Sequence, residues 1–291
     1  MNIEKQAHLQ LLSVIEPGSE FWCNEVKERG AIEVLANIKD GFYITKKQIE
    51  KIVSRLATIE IEKVVEEISK CGAKFIYPGD KEWPTSLNDL RIPPFGLIMK
   101  GEFEFLSALQ NSIAIVGTRN PTPYGARISS EFAAALADRE WSIVSGGAIG
   151  IDAAAHQGAL AAEGITFGVL AGGVNQPYPL SNVRLFNGIQ DRGLLVSEVM
   201  PHVHPVPHRF LIRNRLIAAL TKGTIVVEAA YRSGSLRTAR EAAEIFRPVM
   251  AVPGPINVPT SEGCHRLISD RCAEIVTSIK DILDLVNPLT A

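Results

Sequence analysis

The chain has 291 residues, 46% of them hydrophobic and 21% charged, with a formal net charge of −2. Those values are ordinary for a globular protein and exclude both an intrinsically disordered chain and a polycation that coats nucleic acid by bulk charge. No apolar run reaches the roughly 18 residues of a spanning helix and the start, MNIEKQAHLQ, lacks the apolar centre of a secretory signal, so a cytoplasmic protein with no membrane partner is expected.

The length suggests one large domain with a smaller appendage. Residues 1–75 alternate helical-period segments, such as IEKIVSRLATIEIEKVVEEISKCG, with short breaks and contain almost no strand-like run, which predicts a small helical domain. Residues 76–111 form a connecting segment, where Pro84, Pro93 and Pro94 disfavour continued helix. From residue 112 to 291 short apolar runs alternate with amphipathic stretches. The runs SIAIVG (112–117), SIVSG (142–146), TFGVLAG (166–172), LLVSE (194–198), TIVVEA (224–229) and PVMAVPG (248–254) are candidate strands. Continuous apolar strands separated by helices predict an α/β fold: a doubly wound, Rossmann-like, mostly parallel sheet covered on both faces.

The charge is uneven. Residues 209–291 carry 11 basic against 8 acidic residues, whereas residues 101–208 carry 5 against 9. Cys23, Cys71, Cys264 and Cys272 show no zinc spacing and read as reduced packing residues. His202, His204 and His208, in PHVHPVPH, read as parts of a connecting loop rather than a metal site.

In open α/β sheets ligands bind beyond the carboxyl ends of the strands, so the turns after the apolar runs are the informative places. Four are rich in glycine or small residues: Gly117-Thr118-Arg119, the run from Ser145 through Gly146 and Gly147 to Gly150, Gly172-Gly173, and Ser233-Gly234-Ser235. Glycine lets backbone amides approach an anion, and a following helix adds its positive end, so phosphate is the expected guest. Neither G-x-G-x-x-G nor a GxxxxGK[ST] loop is present, and no NAD, ATP or other cofactor is expected. Arg119 stands where a guanidinium would clamp a phosphate. Arg213, Asn214 and Arg215 precede an apolar helical stretch and would meet phosphates and base edges, while Phe210 either stacks on a base or belongs to the core. Ser145 and Ser233 have no evident His or Asp partner, and His156 reads as a helix-packing residue, so catalysis is not expected.

The runs VGTRNPTPYG, VSGGAIGIDAAAHQGAL, VLAGGVNQPYPLSN, RNRLIAALTKGTIVVEAAYRSGSLRTA and AVPGPINVPTSEGCHRLI resemble, in order and spacing, the DprA/Smf family of DNA-processing proteins over roughly residues 75–285. The resemblance implies a non-enzymatic protein that binds and protects single-stranded DNA during natural transformation, forms homodimers and loads the RecA recombinase. It places the family's phosphate-gripping turn on Gly117, Thr118 and Arg119, and its SG turn on Ser145 and Gly146. The RNR motif falls on Arg213–Arg215 and a basic SGS turn on Arg232, Ser233, Gly234 and Ser235; Thr238, just beyond, joins the candidate set. Two departures stand out: Ile149 occupies a position where the family commonly has arginine, and Leu211 one where it has proline. The family's C-terminal winged-helix domain is not expected here, since the sequence stops at Ala291 soon after the last helix. An alternative is a Rossmann-like nucleotide-monophosphate phosphoribohydrolase, whose T-x-x-E spacing is echoed by Thr238 and Glu241 without the glycines of its pocket. The balanced charge of residues 1–100 predicts that the helical region is dispensable for binding and that a chain starting near Pro84 still folds.

Overall fold

Helical-period segments open the chain and fold into α1 (Ile3–Val14), α2 (Glu20–Arg29), α3 (Ala31–Lys39), α4 (Ile49–Thr58) and α5 (Ile61–Lys70). The computed structural model describes residues 1–43 and 49–287; positions 44–48 of the 1–75 segment and 288–291 of the 112–291 segment lie outside the described residues. The six predicted strand runs become β3 (Ser112–Val116), β4 (Ser142–Ser145), β5 (Thr166–Leu170), β6 (Gly193–Ser197), β7 (Gly223–Val226) and β8 (Val249–Ala251). Between them lie α6 (Pro123–Ala137), α7 (Ile151–Ala161), α8 (Val183–Asp191), α9 (Pro207–Ala219) and α10 (Ser235–Glu244), followed by α11 (Glu262–Ser269) and α12 (Ile279–Val286).

Three strands escape the sequence pattern: β1 (Ala73–Ile76), β2 (Leu97–Gly101) and β9 (Glu274–Ile275). They complete a nine-stranded sheet in the order β1-β2-β6-β5-β4-β3-β7-β8-β9. β3 to β9 pair in parallel, while β1 and β2 add an antiparallel edge. The segment 76–111 is therefore more than a connector, because β2 pairs directly with β6.

Alternate residues of β3 serve opposite faces, as a pleated strand requires. Ile113 and Ile115 pack with Phe132, Leu136, Ile151, Ala155 and Ile282 of α6, α7 and α12. Ala114 and Val116 pack with Leu216, Leu220, Leu236, Ala239 and Leu267 of α9, α10 and α11. Both faces are covered, which is why the strand sequences are apolar throughout.

The N-terminal helices share their core with the sheet. Leu9, Leu11, Trp22 and Leu35 share one apolar cluster with Phe95, Ile98, Phe186, Ile189 and Leu195. Polar ties cross the same junction: Lys5 Nζ lies 2.6 Å from Asp80 Oδ2, and His8 Nδ1 lies 2.7 Å from the Phe95 carbonyl, to which it donates. A chain starting at Pro84 would lack β1 and leave Ile98 and Leu195 without their cover, which removes the basis for expecting such a fragment to stand alone.

From β3 the chain steps outward through β4, β5 and β6; α9 then carries it back so that β7 pairs on the other side of β3. The strand order reverses there, and the turns after β3, β4 and β7 diverge around the opening, the usual location of a ligand site in such sheets.

Candidate nucleic-acid interface

An open pocket of about 190 Å³ lies at this switch point, lined by Gly117 and Arg119 after β3, Ala148 and Asp152 after β4, Phe210, Arg213 and Asn214 of α9, and Ser233, Gly234, Ser235 and Thr238 around the start of α10. The first and fourth predicted turns thus meet, although more than 110 residues separate them in sequence.

Arg119 is exposed, and its guanidinium stands 5.3 Å from the centroid of the Phe210 ring. Phe210 is half-buried and edge-on to Tyr178 at 5.6 Å, so it belongs to the pocket wall and not to the core. Ser233 Oγ and Ser235 Oγ are 2.7 Å apart and hydrogen-bonded to each other, and both residues line the same pocket as the arginine. Asn214 Nδ2 donates to the Gly234 carbonyl at 3.1 Å, fastening α9 to that turn.

Other predicted residues take internal roles. Arg213 is buried; its Nη1 donates to the carbonyls of Gly146, at 2.8 Å, and Val169, bracing the ends of β4 and β5. Burial pulls its pKa down to about 10, against the pull of Asp152. A Cβ on Gly146 would lie 2.5 Å from that guanidinium, so the glycine is there to admit the arginine. Arg215 points away from the pocket, with one terminal nitrogen 2.6 Å from each oxygen of buried Glu198. Arg213 thus lines the pocket with Arg119, whereas Arg215, about 200° around the helix from it, does not.

The Asp152 carboxylate accepts hydrogen bonds from the amides of Gly146 at 3.2 Å and Ala148 at 3.4 Å. Two amides that the sequence offered to a phosphate are thus held by the protein's own anion, whose pKa burial pushes upward. Ser145 Oγ donates to the Ile115 carbonyl at 2.6 Å, and Gly147 lies under the Phe186 ring. Gly172 and Gly173 admit the 200–205 loop, for a Cβ on either would strike Pro205 or the carbonyls of Met200 and Pro201; neither reaches the pocket. The Thr118 amide donates to the Glu228 carbonyl at 2.6 Å, and Arg232 is exposed on the neighbouring surface. Ile149, 42% exposed, sits at the mouth of the β4–α7 turn.

Ser145 and His156 do not form a nucleophile–base pair. His156 is fully buried, with Nδ1 2.7 Å from Thr166 Oγ1, whose own proton goes to the Ile143 carbonyl; burial lowers the His156 pKa to about 3 and keeps the ring neutral. His202 and His208 turn to different partners, Glu67 and Glu16. Cys23 and Cys264 pack inside as expected, but Cys272 is exposed and does not.

The family model of DNA recombination-mediator protein A matches residues 74–287. A putative DNA processing protein DprA of Mycobacterium tuberculosis is 42% identical over 241 residues, an alignment that takes in 78% of this chain and 62% of that protein; the chain thus spans less than two thirds of that relative's length. DNA processing protein A from Streptococcus pneumoniae superposes with a TM-score of 0.84 at 32% identity, covering 97% of this chain and 98% of the other. DNA processing protein A from Helicobacter pylori, whose structure describes a single-stranded DNA binding mode, superposes with a TM-score of 0.65 at 30% identity over 73% of this chain and 94% of the other. The ordered motifs, the mostly parallel sheet with its helical N-terminal region, and these matches agree, and the chain belongs to the DNA recombination-mediator protein A family.

Proposed function

We propose that the protein binds single-stranded DNA at the switch-point pocket, by phosphate contact and base stacking, and acts by binding rather than catalysis. The observation that carries this reading is the exposed Arg119 guanidinium over the Phe210 ring in a pocket whose lining also includes the Ser233–Ser235 hydroxyl pair. A cation beside an aromatic face suits a flexible strand, since every nucleotide supplies both a phosphate and a π-surface. Hydroxyls and guanidinium read phosphate and not sequence, so little base preference is expected. The single-stranded DNA binding mode described for the Helicobacter pylori relative supports the assignment.

Glu241, the acid of the T-x-x-E echo, is bonded to Arg237 at 2.5 Å and is not among the pocket's lining residues, so the phosphoribohydrolase alternative gains no support. We extend the reading to a cytoplasmic homodimer that protects the strand and loads RecA. Among the described residues no helix is long and apolar enough to cross a membrane.

Titration of the protein with fluorescent oligo-dT across a salt series tests the central reading. Affinity should fall with a log–log slope of about −0.7 per neutralised phosphate. An affinity independent of salt, or release of free base from purine monophosphates, would refute it.

A further inference from the structure

The switch-point pocket does not stop at the turn before α10. Leu211, Ser233 and Gly234 line both it and a second, larger groove of about 560 Å³ between α10 and α11, so the two depressions meet along a shared rim. Four arginines line the second groove, Arg232, Arg237, Arg240 and Arg266, against one acidic residue, Asp270. Arg237 and Arg266 are held by carboxylates one helical turn away, Glu241 at 2.5 Å and Asp270 at 3.0 Å. Among the described residues Arg232 and Arg240 have no ion pair, and both are exposed. Tyr231 stands in the lining with 56% of its surface in solvent.

We propose that this groove is a second binding segment for the same single strand, which leaves the Arg119–Phe210 pocket over the Ser233–Gly234 rim and runs between α10 and α11. This inference rests on the single-strand reading of the pocket. Exposed cations without partners attract a polyanion, and exchanging the exposed Arg266–Asp270 pair for a phosphate contact costs little, because surface ion pairs contribute about 0–1 kcal/mol. An acidic protein would satisfy the arginines equally. The strand is favoured by continuity with a pocket that already pairs a guanidinium with an aromatic ring, and by an exposed aromatic ring, Tyr231, in the same lining as the arginines.

The test uses the full chain carrying Arg240→Ala with Arg266→Ala, and separately Tyr231→Ala; all three side chains are exposed. Each protein is titrated with oligo-dT of about 4 and about 16 nucleotides, the span of site sizes known for single-strand grooves. The wild type should hold the longer strand more tightly. The double variant should lose about tenfold or more on the long strand and less than about twofold on the short one. Its salt slope on the long strand should be shallower by about 1.4, the share of two phosphates. Equal loss on both lengths, or none on either, overturns the second segment while leaving the pocket intact. Loss of self-association by light scattering with long-strand affinity unchanged overturns it in favour of a protein contact. A wild type that binds neither oligonucleotide overturns the pocket reading itself, an outcome separate from the others.

Discussion

Arg119→Ala and Arg215→Ala should give opposite signatures, although sequence reasoning places both arginines on one phosphate-binding surface. Arg119 is exposed, and the contact it gives up on truncation is the Phe210 ring at 5.3 Å. An exposed cation–π contact contributes about 0.5–1 kcal/mol, so the melting temperature should move by only a few degrees. Loss of a charge-assisted phosphate contact costs about 1.5–3 kcal/mol, which converts to roughly 10- to 150-fold in oligo-dT affinity. Arg215 is the reverse case. Its side chain is 6% exposed and that of its partner Glu198 is 8% exposed. Burial already pushes the Glu198 pKa upward, opposed by Arg215, and truncation would strand that carboxyl in the interior. Removing one member of a buried pair costs about 3–5 kcal/mol. Thermal unfolding and anisotropy titration on the same preparations separate the two. If Arg119→Ala unfolds as readily as Arg215→Ala, or binds as the wild type does, the division of labour drawn here is wrong. Wild-type stability in Arg215→Ala would refute it as well.

His156 has a folded pKa of about 3, lowered from 6.5 by burial, so the stability of the neutral ring is complete above pH 6.5 and is lost as pH falls toward 3. By linkage the loss at pH 5 is about 2 kcal/mol. His156→Gln should therefore show a smaller decline in urea-measured stability between pH 8 and pH 5, and an undiminished decline would show that the ring does not titrate in this way. A chain starting at Pro84 should bind an environment-sensitive apolar dye and melt well below the full chain, since β1 is gone and Ile98 and Leu195 are uncovered; a melt matching the full chain would contradict the packing described. Gly146→Ala should destabilise by about 1–3 kcal/mol, the usual cost of overpacking, because the new Cβ meets the Arg213 guanidinium; an unchanged denaturation midpoint would mean that Arg213 is free to move aside.

The βα alternation was legible because each central strand is apolar on both faces and most of the turns that follow contain glycine. β1, β2 and β9 were not, since β1 is four residues long, β2 is held by β6, which lies far on in the sequence, and β9 has only two residues. The meeting of Arg119 and Ser233 in one pocket was legible for the same reason, since each follows an apolar run. The direction of a side chain was not. Arg213 and Arg215 read as surface cations until the structure shows residues 213–219 of α9 buried, with Glu198 and two carbonyls supplied by other segments. Asp152 marks the complementary error, since an acidic side chain can occupy a turn that composition alone offers to an outside anion.

The two ends of the sheet bear on how the protein behaves when crowded. A strand with unpaired backbone groups is a template on which another chain can add, and long flat edges invite fibrous growth. Here the β9 end offers two residues, Glu274 and Ile275, both exposed and one of them charged. At the opposite end β1 is four residues long and carries the exposed Lys74. Short length and charge at both margins limit open-ended strand addition, so the nine strands close off as a finite object even though the sheet never curls into a barrel.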